Sequence, residues 1–321
     1  MSGMKGALAK LFTLNILIRW TLTSTCLLLI TCKQQTPNER DPEQKIKIVA
    51  TTGMIQDAVI NIAGDRADVV ALMGPGVDPH LYKATHGDLE HLTSADVIFY
   101  NGLHLEGKMG EVFKKLARIK PVIAVAERVP EKMLRKVPGF QGAYDPHIWF
   151  NVQLWSEAIK EISTFLQEYD SVHAEEYRRR SDTYIQSLDS LHAAVKNEME
   201  AVPAAQRVLI TAHDAFGYFG DAYHVEVKGL QGISTLSEFG LRDVTGLVNF
   251  IITRKVKAIF VETSVSQKSI EAVIQGCRQK GWNVNIGGSL FSDAMGEAGT
   301  PEGNYVGMVH ANVKTIVEAL K

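Results

Sequence analysis

Short apolar runs alternate with segments of helical spacing over residues 45–125. Runs rich in β-branched residues predict strands, and these lie at 45–51, 67–72, 96–100 and 121–125. Segments whose apolar residues stand three or four positions apart predict helices, and these lie at 53–64, 85–94 and 108–119. This alternation indicates βαβ units, with a parallel sheet that carries helices on both faces.

The same alternation restarts after residue 205. Strand-like runs lie at 207–210, 222–228, 257–261 and 282–286, and helical segments lie at 241–254, 267–280 and 304–320. We therefore predict a second α/β lobe over residues 203–321. It is comparable in size to a first lobe over residues 45–170.

A polar, highly charged segment at residues 171–202 connects the two predicted lobes and contains neither Gly nor Pro. Its apolar residues recur at helical spacing, at Tyr177, Tyr184, Leu188, Leu191 and Val195. We predict one stiff helix of about thirty residues, on the order of 45 Å long, which limits relative motion of the lobes. The predicted fold class is α/β: two lobes, each with a small parallel sheet flanked by helices, joined by one long backbone helix.

The first 31 residues differ from the rest of the chain, because they contain no Asp or Glu and have three basic residues, Lys5, Lys10 and Arg19. An apolar run of about twelve residues follows Arg19, which is too short to span a bilayer comfortably. A basic start before a short apolar run is typical of a secretory signal peptide. An uncleaved signal anchor is the alternative, although Arg19 would then lie inside the apolar stretch at a cost.

The segment Leu29-Ile30-Thr31-Cys32 resembles a bacterial lipobox, in which the cysteine becomes the lipidated first residue of the mature chain. Residues 32–44 would then form a lipidated flexible tether. The alternative is a plain signal peptide in which Cys32 has no role. We predict an extracytoplasmic protein, either anchored to the membrane through Cys32 or periplasmic.

Composition excludes several other classes of protein. With 45% apolar and 22% charged residues over 321 positions, the chain has the composition of a packed globular protein. A formal net charge of −2, which becomes −5 once the three positive charges of residues 1–31 are removed, excludes a strongly basic nucleic-acid-binding surface. Three cysteines do not make a disulfide framework, and Cys277 is expected to be a small buried core residue on a helix.

Three histidines and one aspartate lie on connections near predicted strand ends. His80 and His147 each end an Asp-Pro-His tripeptide. The proline restricts the backbone and so limits the positions that the following imidazole can take. His213 follows a strand of the second lobe, and Asp293 follows the last strand. Ligands of open α/β sheets bind at the carboxyl ends of the strands, so we expect these four side chains to meet there.

Three imidazoles and one carboxylate suit a divalent transition metal. Nitrogen donors suit zinc and also copper, nickel and iron, and the carboxylate leaves manganese open. Calcium and magnesium prefer shells of oxygen. The wide separation of the four residues indicates a site assembled by the tertiary structure, with two ligands from each lobe.

Over residues 45–321 the chain resembles the solute-binding lipoproteins of zinc/manganese ABC importers, the ZnuA/TroA-type group. The resemblance rests on GPGVDPHLYKATHGDLEHLTSADVIFYNGLHLE, DPHIWF, VLITAHDAFGYF, GISTLSEFG and GGSLFSDAMG. It implies that Zn²⁺ or Mn²⁺ is bound between two lobes as the transported ligand, by His80, His147, His213 and Asp293. It also implies an ABC membrane permease as partner, and we expect the chain itself to be a monomer.

Two departures from the family bear on the choice of metal. Manganese-selective members often have Glu where this chain has His213, which favours zinc. Zinc-selective members often carry a His-rich acidic loop in the first lobe, whereas residues 126–143 contain no His. Together these departures leave zinc favoured over manganese by a small margin.

Other interpretations of the same residues remain open. A metal-dependent hydrolase would need an open coordination position and a general base, and the chain lacks an HExxH motif. A binder of iron chelates would not need a convergent His/Asp set. We therefore predict a binding protein and not an enzyme. Glu262 ends a strand and is a candidate to lie behind the ligands, whereas His86, His91 and His104 are expected to have surface or capping roles.

Overall fold

The computed structural model describes residues 44–137 and 142–321. The predicted signal peptide, Cys32 and the tether up to residue 43 lie outside the described residues. Residues 45–321 form one compact unit. The boundaries that we predict between lobes, at residues 170 and 203, therefore stay a prediction. Within the part of the chain that the structure describes, no helix has both the length and the apolar character needed to cross a membrane.

The N-terminal half contains one parallel sheet of four strands: β1 (Ile46–Ala50), β2 (Ala67–Ala71), β3 (Val97–Tyr100) and β4 (Val122–Ala124). The strand order is β2-β1-β3-β4, with Ile48 beside Val69 on one side and beside Val97 on the other. The helices of this half are α1 (Gly53–Ala63), α2 (His86–Ser94), α3 (Gly110–Leu116) and α4 (Val152–Tyr169). The predicted βαβ alternation is confirmed here.

The C-terminal half contains two parallel strand pairs, in which β5 (Val208–His213) pairs with β6 (Glu226–Gln231) and β7 (Ala258–Glu262) pairs with β8 (Asn285–Leu290). Strands β5 and β7 pack side by side. The helices of this half are α6 (Gly217–Tyr223), α7 (Leu241–Arg254), α8 (Lys268–Gln279) and α9 (Tyr305–Leu320). Cys277 is fully buried among apolar residues of this half, as expected.

The connecting helix α5 spans Ala174–Glu200, and a 3₁₀ turn at Ser171–His173 precedes it. At about 1.5 Å per residue it is roughly 40 Å long. The five predicted apolar positions are all buried, because α5 packs against α1, α4 and α9. Tyr184 also donates a 2.6 Å hydrogen bond to Asp57 of α1. The predicted long backbone helix is confirmed, with ends that differ from the prediction by a few residues.

Two predicted strands of the C-terminal half are displaced. The sequence predicts a strand at 222–228, but the chain forms α6 up to Tyr223 and begins β6 at Glu226. Two glycines and several aromatic residues give the seven residues of α6 a poor intrinsic helix propensity. Burial of Tyr218, Phe219 and Tyr223 stabilises the helix instead, so tertiary packing outweighs propensity. The last strand is also displaced, from the predicted 282–286 to Asn285–Leu290.

Candidate metal centre

His80 lies in the connection between β2 and α2 and is 2% exposed. Oδ1 of Asp78 accepts a 2.8 Å hydrogen bond from the backbone N–H of His80, which fixes the turn. Oδ2 of Asp78 accepts a 2.6 Å hydrogen bond from the hydroxyl of Thr235, in the connection after β6. The first Asp-Pro-His tripeptide is therefore held from the opposite half of the molecule.

His147 lies before a 3₁₀ turn (Ile148–Phe150) and is fully buried. Oδ1 of Asp145 accepts a 3.0 Å hydrogen bond from the backbone N–H of His147 and lies 2.7 Å from its ring Nδ1. The carbonyl oxygen of Pro146 accepts a hydrogen bond from Asn101, directly after β3. The two tripeptides thus have the same type of backbone turn. Asp145 also orients the ring of His147, whereas Asp78 binds the hydroxyl of Thr235.

His213 is the last residue of β5, and Glu262 is the last residue of the neighbouring β7. Oε1 of Glu262 accepts a 2.9 Å hydrogen bond from the backbone N–H of His213, and Oε2 lies 2.5 Å from the ring Nδ1. Glu262 is 3% exposed and lies behind the imidazole. The sequence offers Glu262 only as a candidate for a position behind the ligands, and the structure places it there.

Asp293 follows β8, and the backbone before it is held on two sides. Asn312 of α9 exchanges two hydrogen bonds with the backbone of Phe291, at 2.9 and 2.7 Å. The carbonyl oxygen of Ser292 accepts a 2.9 Å hydrogen bond from Nε1 of Trp149, which comes two residues after His147. Trp149 thus links the segments of His147 and Asp293.

The four predicted side chains converge, with one ligand atom of each within 4.8 Å of the others. Nε2 of His80 lies 3.3 Å from Nε2 of His147. Oδ1 of Asp293 lies 3.4 Å from Nε2 of His147, and Oδ2 lies 3.3 Å from Nε2 of His213 and 3.9 Å from Nε2 of His80. Donors about 2.1 Å from a tetrahedral metal are about 3.4 Å apart, so these separations suit one such ion.

Several atoms at the centre of this cluster are buried without a hydrogen bond among the described residues, namely both carboxylate oxygens of Asp293 and Nε2 of His213. Leaving buried polar atoms unsatisfied costs about 1–3 kcal/mol each. A divalent cation would satisfy all of them at once. The chemistry of the donor set therefore fits a transition metal.

The pKa values of the three histidines of the cluster are shifted in different directions. Burial alone would lower the pKa of His147, but the carboxylates of Asp145 and Asp293 raise it to about 9. Burial also opposes charge on His213, and Glu262 and Asp293 nevertheless raise its pKa well above the usual value. Among the described residues no carboxylate hydrogen-bonds to the ring of His80, and burial lowers its pKa to about 3. Burial would raise the pKa of Asp293, but the charges of His213 and His147 lower it well below its usual value.

The remaining histidines near the first loop do not join the cluster. His86 and His91 are exposed on α2, and His104 is exposed as well. His104 lines a cavity of about 410 Å³, and His80 and Asp214 also line it. Sequence reasoning missed Thr235 and Asn101 as supports of the tripeptides. The only available signal was that each lies in a segment on which the family resemblance rests.

The chain is similar in sequence to known metal-binding proteins. A family model described as "Zinc-uptake complex component A periplasmic" matches residues 48–319. The manganese-binding lipoprotein MntA of Bacillus subtilis is 49% identical over 283 residues, which cover 88% of this chain and 92% of the relative. The zinc-binding protein TroA of Treponema pallidum is 51% identical over 273 residues, which cover 85% of this chain and 88% of the relative.

The solved structure of the periplasmic zinc-binding protein TroA from Treponema pallidum matches the fold with a TM-score of 0.84 at 51% identity. The match covers 86% of this chain and 99% of that structure. The overall fold and about half of the aligned residues are therefore shared with that structure. The chain belongs to the ZnuA family, the zinc-uptake complex component A group of ABC-transporter solute-binding proteins.

Proposed function

We propose that this protein binds a divalent transition metal, zinc or manganese, outside the cytoplasmic membrane and delivers it to an ABC importer. We assign His80, His147, His213 and Asp293 as the metal ligands. The observation that carries the proposal is the convergence of three imidazole nitrogens on a buried carboxylate that has no hydrogen bond among the described residues. We also propose that the lobes divide at residues 170 and 203, so that each lobe provides two ligands.

The choice between zinc and manganese rests on the donor set, since one relative is named for manganese and another for zinc. Three nitrogen donors favour zinc, and for a given set of ligands zinc binds more tightly than manganese. We therefore propose that zinc binds more tightly in equilibrium competition. Manganese remains the second candidate cargo because the carboxylate suits it.

We propose that the chain has no catalytic activity of its own. Solute-binding proteins of transporters are in general not enzymes. The site is better suited to holding a metal ion than to catalysing a reaction on it. Three imidazoles and a carboxylate complete a tetrahedral shell, whereas a metallohydrolase needs a position for water. Each of the four side chains is at most 2% exposed, which restricts access by a substrate.

We propose that an ABC membrane permease is the partner and that lipidated Cys32 anchors the mature chain, which acts as a monomer. Relatives named as lipoproteins support the anchor. Mass spectrometry of the membrane fraction tests it, and a mature chain that starts at an unmodified residue would contradict it. Light scattering of the purified protein tests the monomer.

Elemental analysis of protein purified without chelators tests the proposed function. We expect about one equivalent of zinc or manganese per chain, and zinc should displace manganese in competition. Bound metal should also raise the melting temperature, because it stabilises only the folded state. A chain that holds neither metal and shows no thermal shift with either would refute the proposal.

A further inference from the structure

Arg135 lies outside the metal cluster, but its contacts lead to His147. We propose that Arg135 is a positioning residue that holds Asp145 against the ring of His147 and thereby slows release of the metal. This inference rests on the proposed function, since it concerns the same site. Neither the sequence motifs nor the convergence of the four ligands points to Arg135.

The first connection is through the backbone. The carbonyl oxygen of Arg135 accepts a 2.8 Å hydrogen bond from the backbone N–H of Asp145, and Val137 donates a 3.0 Å bond to the carbonyl oxygen of Ala143. These bonds form a short antiparallel ladder. The position of Arg135 therefore determines where Asp145 begins the second Asp-Pro-His tripeptide.

The second connection is through Tyr218 of α6, in the C-terminal half. Its hydroxyl accepts a 2.9 Å hydrogen bond from the backbone N–H of Arg135 and donates a 2.9 Å bond to the carbonyl oxygen of Asp145. One buried phenol thus fixes both strands of the ladder. It attaches the tripeptide of His147 to the opposite half of the molecule.

The third connection is electrostatic. Nη1 of Arg135 donates to both carboxylate oxygens of Asp221, at 2.9 and 2.8 Å, and this pair holds the guanidinium in place. Nε of Arg135 then lies 3.9 Å from Oδ2 of Asp145. Oδ2 is buried and has no hydrogen bond among the described residues, whereas Oδ1 is engaged with His147. The guanidinium therefore supplies the positive charge on the side of Asp145 that faces away from the imidazole.

Gly217 shows how closely these groups pack. A Cβ atom built at Gly217 would lie 2.6 Å from Nε of Arg135 and 2.9 Å from Oδ2 of Asp145. A side chain there would force the guanidinium or the carboxylate to move. Substitution of Gly217 is thus a second, independent way to disturb the same contact without removing any charge.

The chemical consequence follows from the role of carboxylates behind metal-binding imidazoles. A carboxylate on Nδ1 fixes the ring orientation and keeps Nε2 available as the donor, and loss of such a partner typically costs 10–100-fold in metal affinity. Substitution of the Arg135 side chain leaves the backbone hydrogen bonds to Asp145 and Tyr218 intact but removes the guanidinium, which is the counter-charge of Asp145. We expect a smaller loss, roughly tenfold, expressed mainly as faster metal dissociation.

The test compares zinc affinity and dissociation rate, by competition with a chromogenic chelator, in Arg135→Met, Arg135→Lys and Gly217→Ala. Arg178→Met is the matched control, because Arg178 also pairs with two carboxylates, those of Glu175 and Asp182, but lies on the exposed face of α5. Co²⁺ absorption spectra of the same proteins report ligand geometry, which a purely structural role of Arg135 would not alter.

We expect Arg135→Met to bind zinc roughly tenfold more weakly and to shift the Co²⁺ bands. Arg135→Lys should lie between Arg135→Met and the wild type, Gly217→Ala should release zinc faster, and Arg178→Met should match the wild type. Wild-type affinity, rate and spectrum in Arg135→Met would overturn the inference, as would an equal loss in Arg178→Met. A wild-type protein that binds no metal would instead refute the proposed function, so the two failures are distinguishable.

Discussion

Glu262 lies directly behind His213, with Oε2 2.5 Å from Nδ1 and Oε1 accepting the backbone N–H of the same residue at 2.9 Å. One carboxylate therefore fixes both the main chain and the ring of a predicted metal ligand. Asp145 makes the same pair of contacts to His147. Two of the three imidazoles, those of His147 and His213, are thus oriented by a buried carboxylate. This difference from His80 has measurable consequences.

Glu262→Gln should weaken metal binding. The amide would keep the shape of the side chain but would remove the charge that favours a metal on Nε2 of His213, at a cost of about 10–100-fold in affinity. Chelator competition measures the change. Glu238→Gln, at an exposed site, is the control, and equal affinities in the two variants would contradict the assigned role of Glu262.

Metal binding should release protons. The pKa of His147 is raised to about 9, so its ring carries a proton at pH 7 before metal binds, and the pKa of His213 is also shifted upward, in the direction that favours the protonated ring. The metal requires neutral imidazoles, and it must displace these protons. Affinity should therefore rise with pH until the pH passes about 9.

Calorimetry in buffers of different ionisation enthalpy counts the protons released at pH 7, and we expect at least one per metal ion, from His147. The signs of the pKa shifts also apply to the metal-free protein. A raised pKa in the folded state stabilises the protein fully below the unfolded value of about 6.5, and for His147 this contribution is lost as pH rises through about 9. In the calorimetric experiment, an enthalpy of metal binding that does not change with the buffer would contradict the release of protons from these histidines.

His147→Ala should abolish tight metal binding while the metal-free protein still folds. The substitution removes one of the four proposed metal donors. The apolar core of the N-terminal half, around His147, keeps all its other side chains. Circular dichroism checks the fold, and isothermal titration with zinc checks the affinity. His91→Ala, on the exposed surface of α2, should bind zinc as the wild type does. Unchanged affinity in His147→Ala would exclude it as a ligand.

Thr235→Val should accelerate metal release. The hydroxyl of Thr235 holds Oδ2 of Asp78, and Asp78 in turn fixes the backbone of His80. Valine keeps the branched shape but loses one of the hydrogen bonds that join the two halves near the site. Stopped-flow mixing with excess chelator measures the rate. Thr245→Val, which removes an exposed hydrogen bond within α7, should leave the rate unchanged, and equal rates in both variants would contradict the prediction.

The sequence predicts the long helix α5 well, because buried residues such as Leu188 and Val195 repeat at helical spacing over many turns. It also identifies the four metal-binding candidates, since residue type and position at strand ends are visible without coordinates. It fails at α6, where packing of Tyr218 and Phe219 overrides weak propensity. The contacts of Arg135 and Thr235 could not be predicted either, because they join residues 83 and 157 positions apart through tertiary structure alone.

A crystal of the zinc-loaded protein, with diffraction data collected on both sides of the zinc absorption edge, tests the central claim most directly. We predict one anomalous peak about 2.0–2.2 Å from Nε2 of His80, His147 and His213 and from the carboxylate of Asp293. A bound zinc ion located elsewhere, or one that any of these four side chains does not contact, would contradict it.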